Sequence, residues 1–460
     1  MTMENQNSSG RVTRRTLLPG GMAILGMTAA ACGSTGGGST ETKPAADLPP
    51  ATVNFWHWGT VGSDNYLPTF QEVSDKFMSA NPKIKLENQM PSDYDNKLIV
   101  GLASDTAPDV FLQRGPNARQ WFNAGTTRDV SAFISKDKNV ANELKSVIKV
   151  FTDYYTVNGK LIGIPWNYST IATVFNVDHV REAGLTLPAQ LGDKWDWNLA
   201  LEYAQKMTKK SATPSRWGIL SESTGETGWF NWIAANGGAF FDQTGKAVIN
   251  TPAAVEATQW LVDLIHKHQL SPTRQEVGTI AASNQKIVGM QQGRLSITFN
   301  GDWNFQPLSQ GGSGLTWDVS YIPRAPRTKK TASSGNLRGL VVSQATKVPE
   351  QAWAFVGYTL RKDVQELIPP KLQEVPARED VALDIYADPA KAGPPPNRKA
   401  LGDAIKAVTP LPWHDHAPRA EWNPIIDKWR NDMWDNKVTV QEGMRQMQDE
   451  LQKFVDQYKK

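Results

Sequence analysis

The residues of this chain best suited to recognition chemistry are its tryptophans, 17 in 460 residues, all of them after Pro50. An indole presents a flat apolar face that can stack on the C–H face of a sugar ring, and its N–H can donate a hydrogen bond. Planar polar side chains complement such rings, because a forked group can bind two neighbouring hydroxyls at once. The composition therefore favours carbohydrate binding.

The only cysteine, Cys32, lies where an export signal would end. Arg14 and Arg15 precede an apolar stretch that ends in small residues directly before Cys32, which predicts a cleaved signal over 1–31. The apolar stretch of about 15 residues is shorter than the roughly 20 that a membrane span needs. We expect Cys32 to be lipidated as the first mature residue, with an ordinary leader and an incidental cysteine as the alternative.

The export route stays open, since the Arg14-Arg15 pair fits both a simple positive segment and a twin-arginine signal. Residues 32–50 are rich in Gly, Ser, Thr and Pro and predict a flexible tether. We therefore expect a protein held by lipid on the extracytoplasmic face of a bacterial cell membrane. The remaining roughly 410 residues are enough for two domains.

The net charge and the lack of catalytic or metal-binding motifs exclude several classes of function. The net charge of +3 gives no electrostatic footprint for nucleic acid. We find no nucleophile elbow, zinc motif, phosphate loop or dinucleotide fingerprint in a convincing context. His414 and His416 alone offer too few ligands for a closed metal site. We predict a binding protein without metal, cofactor or catalysis. A lipid-anchored glycoside hydrolase is the alternative, because paired carboxylates can meet in the fold; a surface-adhesion lipoprotein is another.

The elements that must position these residues alternate along the chain. Residues 51–58 and 84–88 read as strands, and apolar spacing predicts a helix between them over Tyr66–Ala80. A helix and a buried strand near 108–112 follow, so we expect βαβ units and a mostly parallel sheet. Asn158-Gly159 predicts a tight hairpin turn.

Five segments, in this order, cover most of the mature chain. They are Phe55-Trp56-His57-Trp58, 107–110, 158–166 continued by 174–176, 299–303 after 290–294, and 348–355. As an ordered set they resemble the extracellular solute-binding proteins of ABC importers, in the group that includes maltodextrin-binding and other sugar-binding lipoproteins.

The resemblance implies an α/β fold of two lobes, each a mostly parallel sheet flanked by helices and joined by a hinge. It places residues 51–168 with 343–385 in lobe 1 and residues 169–342 with 386–460 in lobe 2. The chain would cross between lobes near 168–175 and 338–343. A monomer of this kind closes on its ligand and delivers it to the ABC permease subunits.

The resemblance and the rule that sites lie at the carboxyl ends of strands together give a set of ligand-binding residues. The aromatic candidates are Trp58, Trp166, Tyr168, Trp229, Trp303 and Trp413, and the polar candidates are Arg114, Asp302 and Arg338. In the family, the aromatic residue at the position of Trp303 commonly stacks on sugar, and an aromatic residue is often present at the position of Trp229, so we expect these two in the cleft. Core packing is the alternative for Trp58 and Trp166, and a salt bridge is the alternative for Arg114.

Overall fold

The structure is a computed structural model that describes residues 44–59, 65–221, 225–310, 314–409, 417 and 419–458. Three predictions fall wholly or mostly outside these residues: the leader with the lipidated Cys32, the tether over 32–50, of which only 44–50 are described, and Trp413 as a ligand contact. Within the described ranges, the search for a helix of sufficient length and apolar character to span a membrane finds none.

Eleven strands are described, and we number them in chain order. They are β1 (Ala51–Trp56), β2 (Ile84–Gln89), β3 (Val110–Arg114), β4 (Thr156–Val157), β5 (Lys160–Leu161), β6 (Ile164–Tyr168), β7 (Ile171–Asn176), β8 (Ile297–Gly301), β9 (Trp317–Ser320), β10 (Leu337–Val342) and β11 (Val375–Pro376). The turn between β4 and β5 is formed by Asn158 and Gly159, with φ of 51° and 76°, so the predicted hairpin is confirmed.

The helices fall between and after these strands. In the first half they are Tyr66–Ala80, Tyr94–Ala103, Gly115–Asn123, Ser131–Ile134, Lys138–Glu143, Lys149–Tyr154, Val177–Glu182, Trp197–Met207 and Phe230–Ala235. In the second half they are Pro252–His266, Arg274–Gly278, Gln285–Gln291, Phe305–Gln310, Pro349–Tyr358, Lys362–Gln365, Ile368–Leu372, Glu379–Val381, Pro389–Ala392, Arg398–Ala404, Arg419–Trp434 and Val440–Val455.

The larger sheet has six strands in the order β11-β6-β10-β3-β1-β2. β1 pairs in parallel with both β2 and β3, because a helix connects each strand to the next. The helix Tyr66–Ala80 buries Phe70, Val73 and Phe77, and the Phe70 ring meets Phe55 of β1 edge-on at 4.9 Å. The apolar spacing of this helix thus fixes the face that covers the sheet.

The smaller sheet has three strands in the order β8-β7-β9. Residues of β7 alternate between two hydrophobic clusters: Ala172 and Val174 belong to the cluster that includes the larger sheet, while Ile171 and Phe175 belong to a second cluster. The two carboxy-terminal helices, Arg419–Trp434 and Val440–Val455, contribute to the second cluster.

The expectation of mostly parallel sheets is wrong in detail. β10 pairs antiparallel with β3 and β6, β11 pairs antiparallel with β6, and β7 pairs antiparallel with β8 and β9. Alternating strands and helices predicted the parallel β1–β2–β3 unit. The other strands enter their sheets from distant parts of the chain, and local alternation carries no information about their direction.

The chain crosses between the sheets by a short connection and again by a longer one over residues 321–336. β6 ends at Tyr168 in the larger sheet and β7 begins at Ile171 in the smaller one, so Ser169 and Thr170 connect them. After β9 the chain returns to the larger sheet as β10. β10 therefore lies with lobe 1, which corrects the assignment of 337–342 to lobe 2; the other lobe boundaries stay predictions.

Candidate functional site

Trp58 lies two residues beyond the end of β1, and two guanidinium groups approach its ring. The centre of the Arg114 guanidinium is 4.7 Å from the ring centroid, and that of Arg338 is 5.9 Å away. Arg114 ends β3 and Arg338 is its register partner on β10, so the antiparallel pairing brings the two together. Trp58 is half-buried, and Arg114 also forms an exposed ion pair with Asp95 at 3.2 Å. The structure thus brings three of the predicted residues into one cluster.

Arg338 is held by a buried carboxylate, Glu374. Arg338 Nη1 donates to Glu374 Oε2 at 2.8 Å and to Ser169 Oγ at 2.7 Å. The side chains of Arg338 and Glu374 are only 8% and 2% exposed. A buried charge is tolerated when it is paired and hydrogen-bonded, so this pair fixes the position of the guanidinium.

Glu374 also accepts hydrogen bonds from three other parts of the chain. It accepts from Tyr66 OH at 2.6 Å, from Ser169 Oγ at 3.1 Å, and from Asn167 Nδ2. Burial raises the pKa of the Tyr66 hydroxyl well above its ordinary value, so this phenol stays a donor. Glu374 therefore connects the helix Tyr66–Ala80, β6 and the first crossing.

Asp302 joins the first crossing to the segment after β11. Its Oδ2 accepts from Thr170 N and Thr170 Oγ1, both at 3.1 Å, and from Tyr386 OH at 3.0 Å. Burial raises the pKa of the Asp302 carboxyl well above its ordinary value, and the nearby charge of Glu374 raises it further. Its Oδ1 is buried without a hydrogen-bond partner among the described residues.

The network as a whole spans three connections of the chain. Ser169 and Thr170 belong to the first crossing, Arg338 follows the second, and Glu374 flanks β11. Asp302, which follows β8 of the smaller sheet, contacts Thr170 of the first crossing, while Arg338 of the larger sheet and Glu374, directly before β11, contact Ser169 of the same crossing. The arrangement suits a hinge that places polar groups beside an aromatic ring.

Trp303 follows Asp302 directly in the short helical turn Asp302–Asn304. Its ring is half-buried and packs against the second hydrophobic cluster. Trp303 is therefore close in the chain to the buried network and keeps part of its surface accessible, as a stacking residue requires.

Trp229 does not fit the prediction of a cleft residue. It is fully buried in the second cluster, where its ring contacts Phe240 and Trp434, and its Nε1 donates to Thr258 Oγ1 at 2.8 Å. The expectation is corrected because a large apolar ring on a short helix gains most by entering the core, and its one polar atom finds a partner there.

Trp166 is likewise a core residue. It is fully buried, and its ring stacks on Phe70 at 5.1 Å. Tyr168 is buried at the end of β6, where its hydroxyl accepts from Gly335 N at 2.6 Å and donates to Ser333 O. Both expectations of direct ligand contact are corrected: Trp166 packs the sheet against a helix, and Tyr168 ties the first crossing to the second.

Sequence reasoning missed several members of the network, namely Tyr66, Asn167, Ser169, Thr170, Glu374 and Tyr386. A buried arginine demands an acidic partner, and that demand is the one signal that could have pointed to Glu374. The sequence contains 46 acidic residues, so the choice among them needed the fold.

Comparisons with known proteins bear on the family and the fold. The family of bacterial extracellular solute-binding proteins matches residues 72–394. A maltooligosaccharide ABC transporter solute-binding lipoprotein of Streptococcus pneumoniae (strain ATCC BAA-255 / R6) is 22% identical, covering 81% of this chain and 82% of the relative. A lactose-binding protein of Rhizobium radiobacter is 21% identical, covering 68% and 71%.

A solved ABC substrate-binding protein from Listeria monocytogenes, in complex with cycloalternan, has a TM-score of 0.73 and 21% identity, covering 89% of this chain and all of that one (100%). The predicted two-lobed fold and the predicted resemblance are therefore confirmed. The chain belongs to the bacterial extracellular solute-binding proteins.

Proposed function

We propose that this protein is the substrate-binding subunit of an ABC importer, that its ligand is a mono- or oligosaccharide, and that the ligand is captured between two lobes. The observation that carries the proposal is the cluster of Trp58, Arg114 and Arg338 beside the buried network at the crossings. Relatives named for maltooligosaccharide and for lactose support the choice of a carbohydrate.

The chemistry of the cluster suits a polyhydroxyl ligand. The half-buried rings of Trp58 and Trp303 offer apolar faces for the C–H side of a sugar. Arg114 offers several N–H donors in a plane, which match neighbouring hydroxyls. We therefore propose that Trp58, Trp303 and Arg114 contact the ligand directly. Arg338 and Asp302 are buried and help to hold these residues in position.

The charges favour an uncharged ligand over a phosphate ester or a uronic acid. Arg338 is neutralised by Glu374 at 2.8 Å, and Arg114 is paired with Asp95 at 3.2 Å. An anionic ligand would have to displace Asp95 or share a guanidinium that already serves a buried carboxylate. A neutral sugar needs neither change.

The protein binds and releases its ligand without changing it chemically. The lobes rotate about the crossings at 169–170 and 333–336, close on the ligand, and present the closed form to the permease. The lipid on Cys32 and the tether over 32–50 keep the protein at the outer face of the membrane. Transfer of the ligand then depends on reopening at the permease.

A thermal-shift screen over neutral sugars, uronic acids, sugar phosphates and peptides tests the proposal. A ligand present at about 100 times its Kd adds about 2.7 kcal/mol to the free energy of unfolding, because only the folded state binds it. We expect Tm to rise with a neutral sugar and the sugar to be recovered unchanged. Loss of the sugar into products would favour a hydrolase, and no shift with any carbohydrate would contradict the proposal.

A further inference from the structure

The ring of Trp303 lies directly on the backbone of Gly301. A Cβ placed on Gly301 would be 2.0 Å from Cζ3 of that ring, 2.1 Å from Cη2 and 2.3 Å from Cε3. Two carbon atoms that are not bonded make optimal contact at about 3.5–4.0 Å. The benzene part of the indole thus occupies the space that any side chain at position 301 would take.

The backbone around Gly301 is fixed on both sides, so it has little freedom to move away from the ring. Gly301 is the register partner of Ile171 at the end of β8. Asp302 N donates to Thr170 O at 3.1 Å, and Thr170 N donates back to Asp302 Oδ2 at 3.1 Å. A larger residue at 301 must therefore displace the ring and leave the strand in place.

The ring is also held relative to the first crossing. Thr170 lies in that crossing, and its reciprocal bonds with Asp302 anchor the residue that directly precedes Trp303. Asn304 Nδ2 donates to Asn300 Oδ1 at 3.0 Å and closes the turn from the other side. The position of the Trp303 ring is thus fixed before any ligand binds. Ligand binding then has to order fewer side chains, which lowers its entropic cost.

We infer that Gly301 is a positioning residue: the absence of a side chain there sets the orientation in which Trp303 meets the ligand. The inference rests on the proposed function, because ring orientation matters for binding only if the ligand stacks on Trp303. Gly301 itself touches no ligand in this account.

A double-mutant cycle tests, without any ligand, whether a side chain at position 301 clashes with the ring of Trp303. The variants are Gly301→Ala, Trp303→Ala and the pair together, with Gly278→Ala as control, since a Cβ at Gly278 would have no atom within 4 Å. We expect Gly301→Ala to lower Tm by about 2–6 °C through overpacking. The same change should cost little once Trp303 is alanine. An equal loss in both backgrounds would overturn the inference, because alanine would then clash with something other than the ring.

A spectroscopic measurement separates ring position from general stability. In protein labelled with 5-fluorotryptophan, the ¹⁹F resonance of Trp303 is the one missing from Trp303→Phe. We expect Gly301→Ala to shift this resonance and Gly278→Ala to leave it unchanged. An unshifted resonance in Gly301→Ala would also overturn the inference.

Titration with maltotriose tests whether the position of the Trp303 ring affects ligand affinity. We expect Gly301→Ala to weaken maltotriose binding about tenfold, the size of a lost aromatic stacking contact. Unchanged affinity in Gly301→Ala would overturn the inference. If the unaltered protein does not bind maltotriose, that result counts against the choice of sugar in the proposed function, while the cycle and the resonance still decide the role of Gly301.

Discussion

Arg338 and Glu374 form an ion pair at 2.8 Å, and the side chains of both are more than nine-tenths buried. Arg338 lies in β10, and Glu374, 36 positions later in the chain, is the residue directly before β11. Ser169 of the first crossing contacts both, so this pair of charges is joined to the first crossing through one hydroxyl.

Glu374→Gln should destabilise the protein by about 3–5 kcal/mol, because it leaves the buried guanidinium of Arg338 without a countercharge. Urea unfolding measures the loss. Glu366→Gln is the matched control: it breaks an ion pair with Lys362 in which the two side chains are 50% and 36% exposed, so it should leave the free energy of unfolding nearly unchanged. Similar losses for the two variants would contradict the isolation of the Arg338–Glu374 pair from solvent.

The stability contribution of Asp302 should depend on pH with a definite sign. An unfolded Asp titrates near about 3.9, and the pKa of Asp302 in the folded protein is higher because of burial and of Glu374. The folded state therefore binds the proton more tightly. The contribution is fully present below the unfolded pKa and is lost as pH rises through the folded pKa.

Asp302→Asn removes this titration. We expect the unfolding free energy of the unaltered protein to fall relative to Asp302→Asn as pH rises from about 4, measured by urea unfolding across the pH range. Asp384→Asn is the control with the opposite sign, because Lys391 lowers the pKa of Asp384. A difference between the unaltered protein and Asp302→Asn that does not change with pH would contradict the prediction.

Trp229→Ala and Trp303→Ala should distinguish a residue of the hydrophobic core from a residue that binds the ligand. Trp229 is fully buried among aromatic rings, so its truncation should cost about 3–5 kcal/mol. Trp303 is half-buried, so Trp303→Ala should cost less and should abolish the rise in Tm that a bound sugar causes. Thermal unfolding with and without sugar measures both effects. A larger loss for Trp303 than for Trp229 would place Trp303 in the core.

Arg114→Ala should weaken sugar binding with little effect on stability. The ion pair between Arg114 and Asp95 is exposed, with side chains 37% and 53% accessible, so breaking it should cost about 0–1 kcal/mol. Asp95→Ala breaks the same pair and keeps the guanidinium over Trp58. Calorimetric titration with the sugar identified by the screen compares the two; equal losses of affinity would mean that the ion pair, and not Arg114 itself, matters.

Local pattern predicted the local elements well. The helix Tyr66–Ala80 has the bounds that its apolar spacing predicted. Asp196 Oδ1 accepts from Leu199 N at the start of the helix Trp197–Met207, a cap that depends on two residues three positions apart. These features depend on residues within a few positions of one another, so the sequence contains the needed information.

The site was predicted less completely. Trp58, Arg114 and Arg338 were expected in the cleft and lie together in the structure, because strand ends and the family resemblance both pointed to them. Trp166 and Trp229 were expected there and are buried. An aromatic residue near a strand end or a short helix packs inward or outward according to what covers it, and that covering comes from distant segments.

The sequence by itself determined the family, the alternation of strands and helices, and the export signal expected before Cys32. The tertiary structure decided which of the acidic residues meets Arg338, and how Thr170 and Tyr386 hold Asp302 across 132 and 84 positions. The physical reason is that backbone conformation follows from neighbouring residues. The partner of a buried charge follows from which distant strands pair, and local pattern cannot encode that pairing.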